Sequence, residues 1–194
     1  HDLLWGMTPA HVPADAPTWV LEALGAGQPV VVRRAIAQPG QVAVGVRGRL
    51  REQRFAAQMP LALVRRRVTP QALREVTSPR DLPALRALAQ LRPLLAQKDW
   101  GVSGSAGFEL ATGIEALHDA SDLDLILHTP EPLGRRDAGD LLAILDTAVC
   151  AVDLQLQTPF GAVALREWAS GSRRVLLKTA SGAHLVLDPW QAVA

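Results

Sequence analysis

Ser121-Asp122-Leu123-Asp124-Leu125-Ile126-Leu127-His128 alternates along most of its length. Leu123, Leu125 and Leu127 fall on one side of an extended chain, and Asp122, Asp124 and Ile126 on the other. That period of two marks a strand with one apolar face. The two aspartates then stand on one side, about 7 Å apart along the backbone. Like charges at this spacing repel each other unless a cation lies between them. Oxygen ligands without cysteine or clustered histidine favour a hard ion such as Mg²⁺. For an Asp-x-Asp by itself, a strand start with solvent-facing acids is the plainer reading.

Two flanking segments sharpen it. Trp100-Gly101-Val102-Ser103-Gly104-Ser105-Ala106-Gly107 reads as a short strand ending in a Gly-Ser turn that opens a helix, placed over Phe108 to Ile114. Backbone N–H groups exposed at such a turn, with the Ser105 hydroxyl, make a seat for phosphate. Val152-Asp153-Leu154-Gln155-Leu156-Gln157 alternates again, with Val152, Leu154 and Leu156 toward a core and Asp153 on the opposite side. Between the two strands a helix fits, capped by Asp137 and apolar along Leu141, Leu142, Leu145 and Val149. If the strands are neighbours, Asp153 joins Asp122 and Asp124 in a three-carboxylate site able to hold metal ions against a triphosphate.

The other half of the chain differs in charge. Of 194 residues, 20 are Lys or Arg and 19 Asp or Glu, yet residues 1–100 carry +7 and residues 101–194 carry −6. From Arg33 to Arg67 there are nine arginines and one acid, Glu52. Arginine's flat fork of donors suits phosphates and carboxylates, so the cluster points to an anionic partner. A single aromatic, Phe55, lies among these arginines, which argues against stacking on single-stranded nucleic acid. Apolar runs are far shorter than the roughly 20 residues needed to cross a bilayer. Cys150 is the one cysteine, excluding an internal disulfide or multi-cysteine zinc site, and a reduced, cytoplasmic setting is expected.

Along the first half, Trp19, Val20, Leu21 and Leu24 suit a short helix, Val30 to Val32 a buried strand, and Val42, Val44 and Val46 a half-buried one. A domain boundary is placed near residues 77–81, separating a basic N-terminal domain, 1–78, from a catalytic domain, 79–194. Asp81 is expected to cap a helix bearing Leu82, Leu85, Leu88 and Leu91, with a kink or restart at Pro93 and Leu94 and Leu95 continuing the apolar side. Lys178 sits in a strand, Val175 to Thr179, that turns at Ser181-Gly182 into a second one. The fold class is α+β: an α/β-like C-terminal core with a mixed sheet, and a smaller α+β N-terminal domain.

Gly104-Ser105, Ser121-Asp122-Leu123-Asp124-Leu125 and Asp153, in that order, resemble the nucleotidyltransferase superfamily of the polymerase-β type. The 16 residues between Ser105 and Asp122 exceed the usual spacing and imply an extra loop over Thr112 to Ala120. A second resemblance covers nearly the whole chain. It rests on His1-Asp2-Leu3-Leu4-Trp5, Val31-Val32-Arg33-Arg34, Val44-Gly45-Val46-Arg47-Gly48 with Arg51, Gln53 and Arg54, Gly161 to Trp168, Leu177-Lys178-Thr179 and Asp188-Pro189-Trp190. These resemble the malonate decarboxylase holo-acyl-carrier-protein synthases, also called phosphoribosyl-dephospho-CoA transferases.

The resemblance implies transfer of a 2'-(5''-phosphoribosyl)-3'-dephospho-CoA group from triphosphoribosyl-dephospho-CoA to a serine of the apo acyl carrier subunit of malonate decarboxylase, with release of pyrophosphate. Asp122, Asp124 and Asp153 become the expected catalytic and Mg²⁺-binding residues. Gly104, Ser105, Lys178 and Arg47 become the expected phosphate and donor contacts. Two alternatives stay open at this point: a nucleotidyltransferase using an NTP on another acceptor, and a non-catalytic anion-binding or nucleic-acid-binding module. His118, His128 and His184 lack zinc-site spacing and read as structural or surface residues.

Overall fold

The computed structural model describes residues 1–193 and divides the chain into two compact units, 1–69 and from Pro70 onward. The division falls ahead of the 78/79 boundary read from the sequence. The reason is the 3₁₀ turn Pro70–Leu73, which packs on the first strand of the second unit: a Cβ on Gly101 would lie 2.3 Å from the Pro70 carbonyl carbon.

In the first unit, β1 (Leu3–Trp5), α1 (Thr18–Gly25), β2 (Val30–Val32), β3 (Gln41–Arg47), β4 (Arg54–Pro60) and β5 (Arg66–Val68) follow in order. The strands form an antiparallel sheet in the order β4-β3-β2-β1-β5. Alternation along β3 sends Val44 and Val46 to a core with Leu4, Val20, Leu24, Val30 and Met59. Complete burial of side chains this size stabilises the unit by about 1.5–3 kcal/mol each.

The second unit contains α2 (Pro83–Leu95), β6 (Trp100–Ser103), α3 (Gly104–Thr112), β7 (Leu123–His128), α4 (Arg135–Leu145), β8 (Val152–Thr158), β9 (Gly161–Ala164), α5 (Leu165–Ala169), β10 (Val175–Thr179) and β11 (Gly182–Val186). Its sheet runs β11-β10-β9-β8-β7-β6. Only β7 and β8 pair in parallel among the described strands, joined by the crossover through α4 that parallel pairing requires. The sheet is therefore mixed, and the fold is α+β as the sequence indicates. Trp100, Trp168 and Trp190 are buried, the last two ring-to-ring with centroids 5.3 Å apart.

Several helix details differ from expectation. Helix α2 runs through Pro93 without restarting. Proline there removes one bond in the last turn, and both Pro93 and Ala89, whose carbonyl loses its partner, face solvent. Asp81 pairs with Arg86 and does not cap α2, whose N-cap position is Leu82. The buried side of α2 is Ala84, Ala87, Leu88, Leu91 and Leu95, leaving Leu94 exposed. Helix α3 begins at Gly104 and stops at Gly113, whose left-handed conformation (φ 74°) ends the helix before Ile114. Gly134, not Asp137, precedes α4, and Val149 lies exposed beyond its end.

Candidate active site

The site lies on the polar face of the six-stranded sheet. Leu123, Leu125, Leu127, Val152, Leu154 and Leu156 fill the opposite, buried face. The parallel register pairs Asp124 directly with Asp153, and the antiparallel register on the other side pairs Asp124 with Ser103. Three adjacent strands thus place Ser103, Asp124 and Asp153 in one row across the sheet. Neighbouring strands lie about 4.8 Å apart, so the two carboxylates stand side by side on one face. Ser103 is buried, Asp124 half-buried and Asp153 exposed.

Gly104 holds the row together. It sits at φ 61°, a left-handed conformation that glycine adopts without strain. A Cβ there would lie 2.0 Å from Asp124 Oδ2 and 2.8 Å from its Cγ. The absence of a side chain lets the start of α3 close directly onto Asp124. The backbone N–H groups of the first turn of α3, beginning at Gly104 with half-buried Ser105 next, therefore open beside the carboxylate.

Asp153 has its own support. Gln155 Nε2 donates to Asp153 Oδ1 at 2.9 Å, fixing the carboxylate on the surface of β8. Arg166 belongs to the same surroundings: its guanidinium binds Asp146 at 2.7 Å, and that bond first, with the field of Asp153 a lesser cause, holds its pKa above the ordinary arginine value.

Asp122 lies just outside the register pairing of β7 with β8. It precedes β7, is exposed, and acts on Cys150. Burial pushes the Cys150 thiol up, the Leu123 backbone N–H draws it down, and the charge of Asp122 pushes it up again. Among the described residues no group of three or more His, Cys, Asp and Glu side chains is gathered closely enough to hold a metal ion. The backbone therefore pairs two of the three carboxylates, and the third occupies the strand entrance.

Lys178 shares the polar face but not the neighbourhood. It pairs with Ala162, which pairs with Gln157. Gln157 lies four residues along β8 from Asp153, so Lys178 is two strands over and roughly 16 Å from Asp153, and three strands over and about 20 Å from Asp124. Arg47 belongs to the first unit, at the end of β3 opposite Arg54.

Sequence reasoning missed the support behind the strand entrance. Glu109, 4% exposed on α3, takes an ion pair from Arg80 and accepts the backbone N–H groups of Ala116 at 2.8 Å and Leu117 at 3.4 Å. Arg80 also reaches the Leu117 carbonyl. This clamp fastens the long loop after Gly113, the insertion expected between the Gly-Ser turn and β7. Its one sequence signal is an acid inside the otherwise non-polar run Ala106-Gly107-Phe108-Glu109-Leu110-Ala111.

A glycine turn opening a helix against register-paired carboxylates is the equipment of a group-transfer enzyme acting on a phosphorylated donor. Comparison with known proteins narrows the class. Residues 1–70 match the family profile "Phosphoribosyl-dephospho-CoA transferase MdcG N-terminal domain" and residues 71–189 the corresponding C-terminal domain. A phosphoribosyl-dephospho-CoA transferase of Pseudomonas fluorescens is 62% identical over 192 residues, 98% of this chain and 93% of the relative. One from Pseudomonas syringae pv. tomato is 61% identical over 194 residues, 98% and 92% respectively. One from Azotobacter vinelandii is 57% identical over 201 residues, 100% and 95%. No solved structure matches the chain. The chain belongs to the phosphoribosyl-dephospho-CoA transferase family, and it is a transferase.

Proposed function

We propose that the protein moves the 2'-(5''-phosphoribosyl)-3'-dephospho-CoA group from its triphosphate precursor to a serine of the apo acyl carrier subunit of malonate decarboxylase, releasing pyrophosphate. The register pairing of Asp124 with Asp153 beside the Gly104 turn carries this reading. Family membership supplies the donor class.

The serine oxygen of the acceptor bonds to the α-phosphorus, and the bond from that phosphorus to the bridging oxygen of the leaving pyrophosphate breaks. Negative charge grows on the bridging oxygen and the terminal phosphates. The backbone N–H groups at the start of α3, with the Ser105 hydroxyl, receive those phosphates, and glycine at 104 keeps the approach clear. Asp153, oriented by Gln155, accepts the serine proton as the bond forms. Two carboxylates opposed on neighbouring strands repel each other, and an all-oxygen pair suits a hard divalent cation. Asp124 and Asp153, with Asp122 from the strand entrance, are the residues that would hold Mg²⁺. When bound, the ion neutralises charge on the triphosphate.

No helix among the described residues is long and apolar enough to cross a membrane. A cytoplasmic setting and a carrier protein as partner form part of the same proposal. The test is mass spectrometry of the apo carrier subunit after incubation with the protein, Mg²⁺ and the triphosphate donor. The carrier should gain the mass of the prosthetic group on one serine, with stoichiometric pyrophosphate, and Asp124→Asn should abolish both. No gain in mass with the wild-type protein would sink the reading.

A further inference from the structure

We propose that the tip of the β3–β4 hairpin, Arg47 to Arg54, is the surface on which the acceptor protein docks, receiving an acidic face that carries an apolar contact for Leu50. This rests on the reading above that the acceptor is a protein.

The eight residues Arg47-Gly48-Arg49-Leu50-Arg51-Glu52-Gln53-Arg54 carry a net charge of +3. They join two strands whose register closes with Arg47 opposite Arg54. The tip is built as a fixed turn. Gly48 N–H donates to the Gln53 carbonyl at 3.0 Å and Gln53 N–H to the Leu50 carbonyl at 3.0 Å. The Gln53 side chain folds back to accept Leu50 N–H at 3.0 Å. Arg54 Nη1 donates to the Gln53 carbonyl at 2.9 Å and to the Leu50 carbonyl at 3.4 Å. Gly48 is needed for this arrangement, because a Cβ there would lie 2.4 Å from Gln53 Oε1. A loop already ordered loses little entropy when a partner binds.

Internal bonding uses the backbone and the Gln53 and Arg54 side chains, and leaves Arg49, Leu50 and Arg51 presented outward. Arg49, Leu50 and Arg51 are exposed, Leu50 by 55%. Neither Arg49 nor Arg51 forms an ion pair among the described residues. The crowding of positive charge is felt inside the turn, where Arg54 is held below the ordinary arginine value by burial first and by Arg51 second.

The geometry favours a protein face over the donor's phosphates. A polyphosphate calls for donors that converge on it from several sides. Here two arginines flank an exposed leucine on a projecting turn, and the leucine gains nothing from a phosphate. A partner surface with carboxylates around an apolar side chain satisfies all three at once, with the charges steering encounter and the leucine adding buried area.

The test compares the wild-type protein with R49E/R51E and with Leu50→Ala, checking the fold of each by circular dichroism. The readouts are the KM for the apo carrier, at about 50 mM and 300 mM salt, and donor affinity by calorimetry. R49E/R51E should raise the carrier KM about tenfold or more at low salt, the effect should shrink at high salt, and donor affinity should stay at the wild-type value. Leu50→Ala should raise the carrier KM about threefold at both salt concentrations. An unchanged carrier KM in R49E/R51E overturns the docking surface while leaving the transferase reading intact. Loss of donor affinity in that variant assigns the arginines to the donor and also overturns it. Absence of carrier modification by the wild-type protein overturns both.

Discussion

Gly104 and Asp124 are in such close contact that the smallest side chain at position 104 would overlap the Asp124 carboxylate: its Cβ would fall 2.0 Å from Oδ2, 2.8 Å from Cγ and 2.9 Å from Cβ. The turn that opens α3 and the carboxylate on β7 are therefore one geometric unit. Swinging the carboxylate aside cannot relieve the overlap at Asp124 Cβ, so the backbone of one element must move.

Gly104→Ala should consequently lower both stability and turnover. The left-handed φ contributes about 1–2 kcal/mol of strain, and the overlap with Asp124 adds a further ~1–3 kcal/mol. Displacing Asp124 by even ~1 Å should lower turnover about 100-fold. Steady-state rates beside thermal unfolding of the same variant check this. A fully active Gly104→Ala enzyme would show that the contact has no bearing on the reaction.

The opposed carboxylates predict a stability response to cations. Mg²⁺ at about tenfold excess over its Kd should raise the melting temperature of the second unit by about 3–5 °C. Asp124→Asn and Asp153→Asn remove one member of the register pair and should each abolish most of that rise. Differential scanning calorimetry with Mg²⁺ and with EDTA decides it, with no substrate present. Equal rises in all three proteins would place the cation elsewhere.

The Arg80–Glu109 clamp predicts a cost transmitted along the loop. Glu109 is almost fully buried and Arg80 about 29% exposed, so Glu109→Gln leaves a partly buried guanidinium poorly matched. The loss should be about 2–3 kcal/mol, below that for a wholly buried pair. Because the clamp also holds Ala116 and Leu117, hydrogen exchange should accelerate over residues 113–121 ahead of the sheet. Denaturant unfolding and exchange mapped by mass spectrometry test the two effects. Unchanged exchange in that loop would show that the clamp does not fasten it.

The clamp also marks where sequence reading stopped. Alternation in Asp122–Leu127 and Val152–Gln157, separated by a helix-length segment, marks two strands that a helical crossover can join in parallel but leaves open whether they are neighbours; the structure pairs them, with Asp124 opposite Asp153. The hairpin bearing Lys178 is legible from two short strands around a Ser-Gly turn, but its distance from the aspartates is not. That distance depends on β9 lying between β8 and β10. The sequence puts the start of α3 at Phe108, later than Gly104, because Gly104, Ser105 and Gly107 are weak helix formers. Packing overrides them: a Cβ on Gly107 would meet the Val102 carbonyl oxygen at 2.8 Å. Leu94 and Val149 look like core residues in a list of leucines and valines, yet the helices turn Ala87, Leu91, Ala138 and Leu145 inward. Glu109 went unread because a buried acid is recognisable only when its partners, Arg80 and two backbone amides, are in place.

Cys150 provides a native probe of the strand entrance. It is the chain's one cysteine, so alkylation reports a single thiol. Burial raises its pKa, the Leu123 backbone bond opposes this, and the negative charge of Asp122 raises it further by disfavouring the thiolate. The thiolate is the reacting form, so at a fixed pH just below the thiol's pKa the rate follows the thiolate fraction. Asp122→Asn removes the charge, lowers the pKa and should speed iodoacetamide alkylation about two- to fivefold. Its pH–rate curve should shift toward lower pH by the same factor. Mg²⁺ should accelerate wild-type alkylation in the same direction if Asp122 takes part in holding the ion, and should leave Asp122→Asn unaffected. A wild-type rate indifferent to Mg²⁺, with the variant faster as described, would remove Asp122 from the cation site while keeping Asp124 and Asp153 in it.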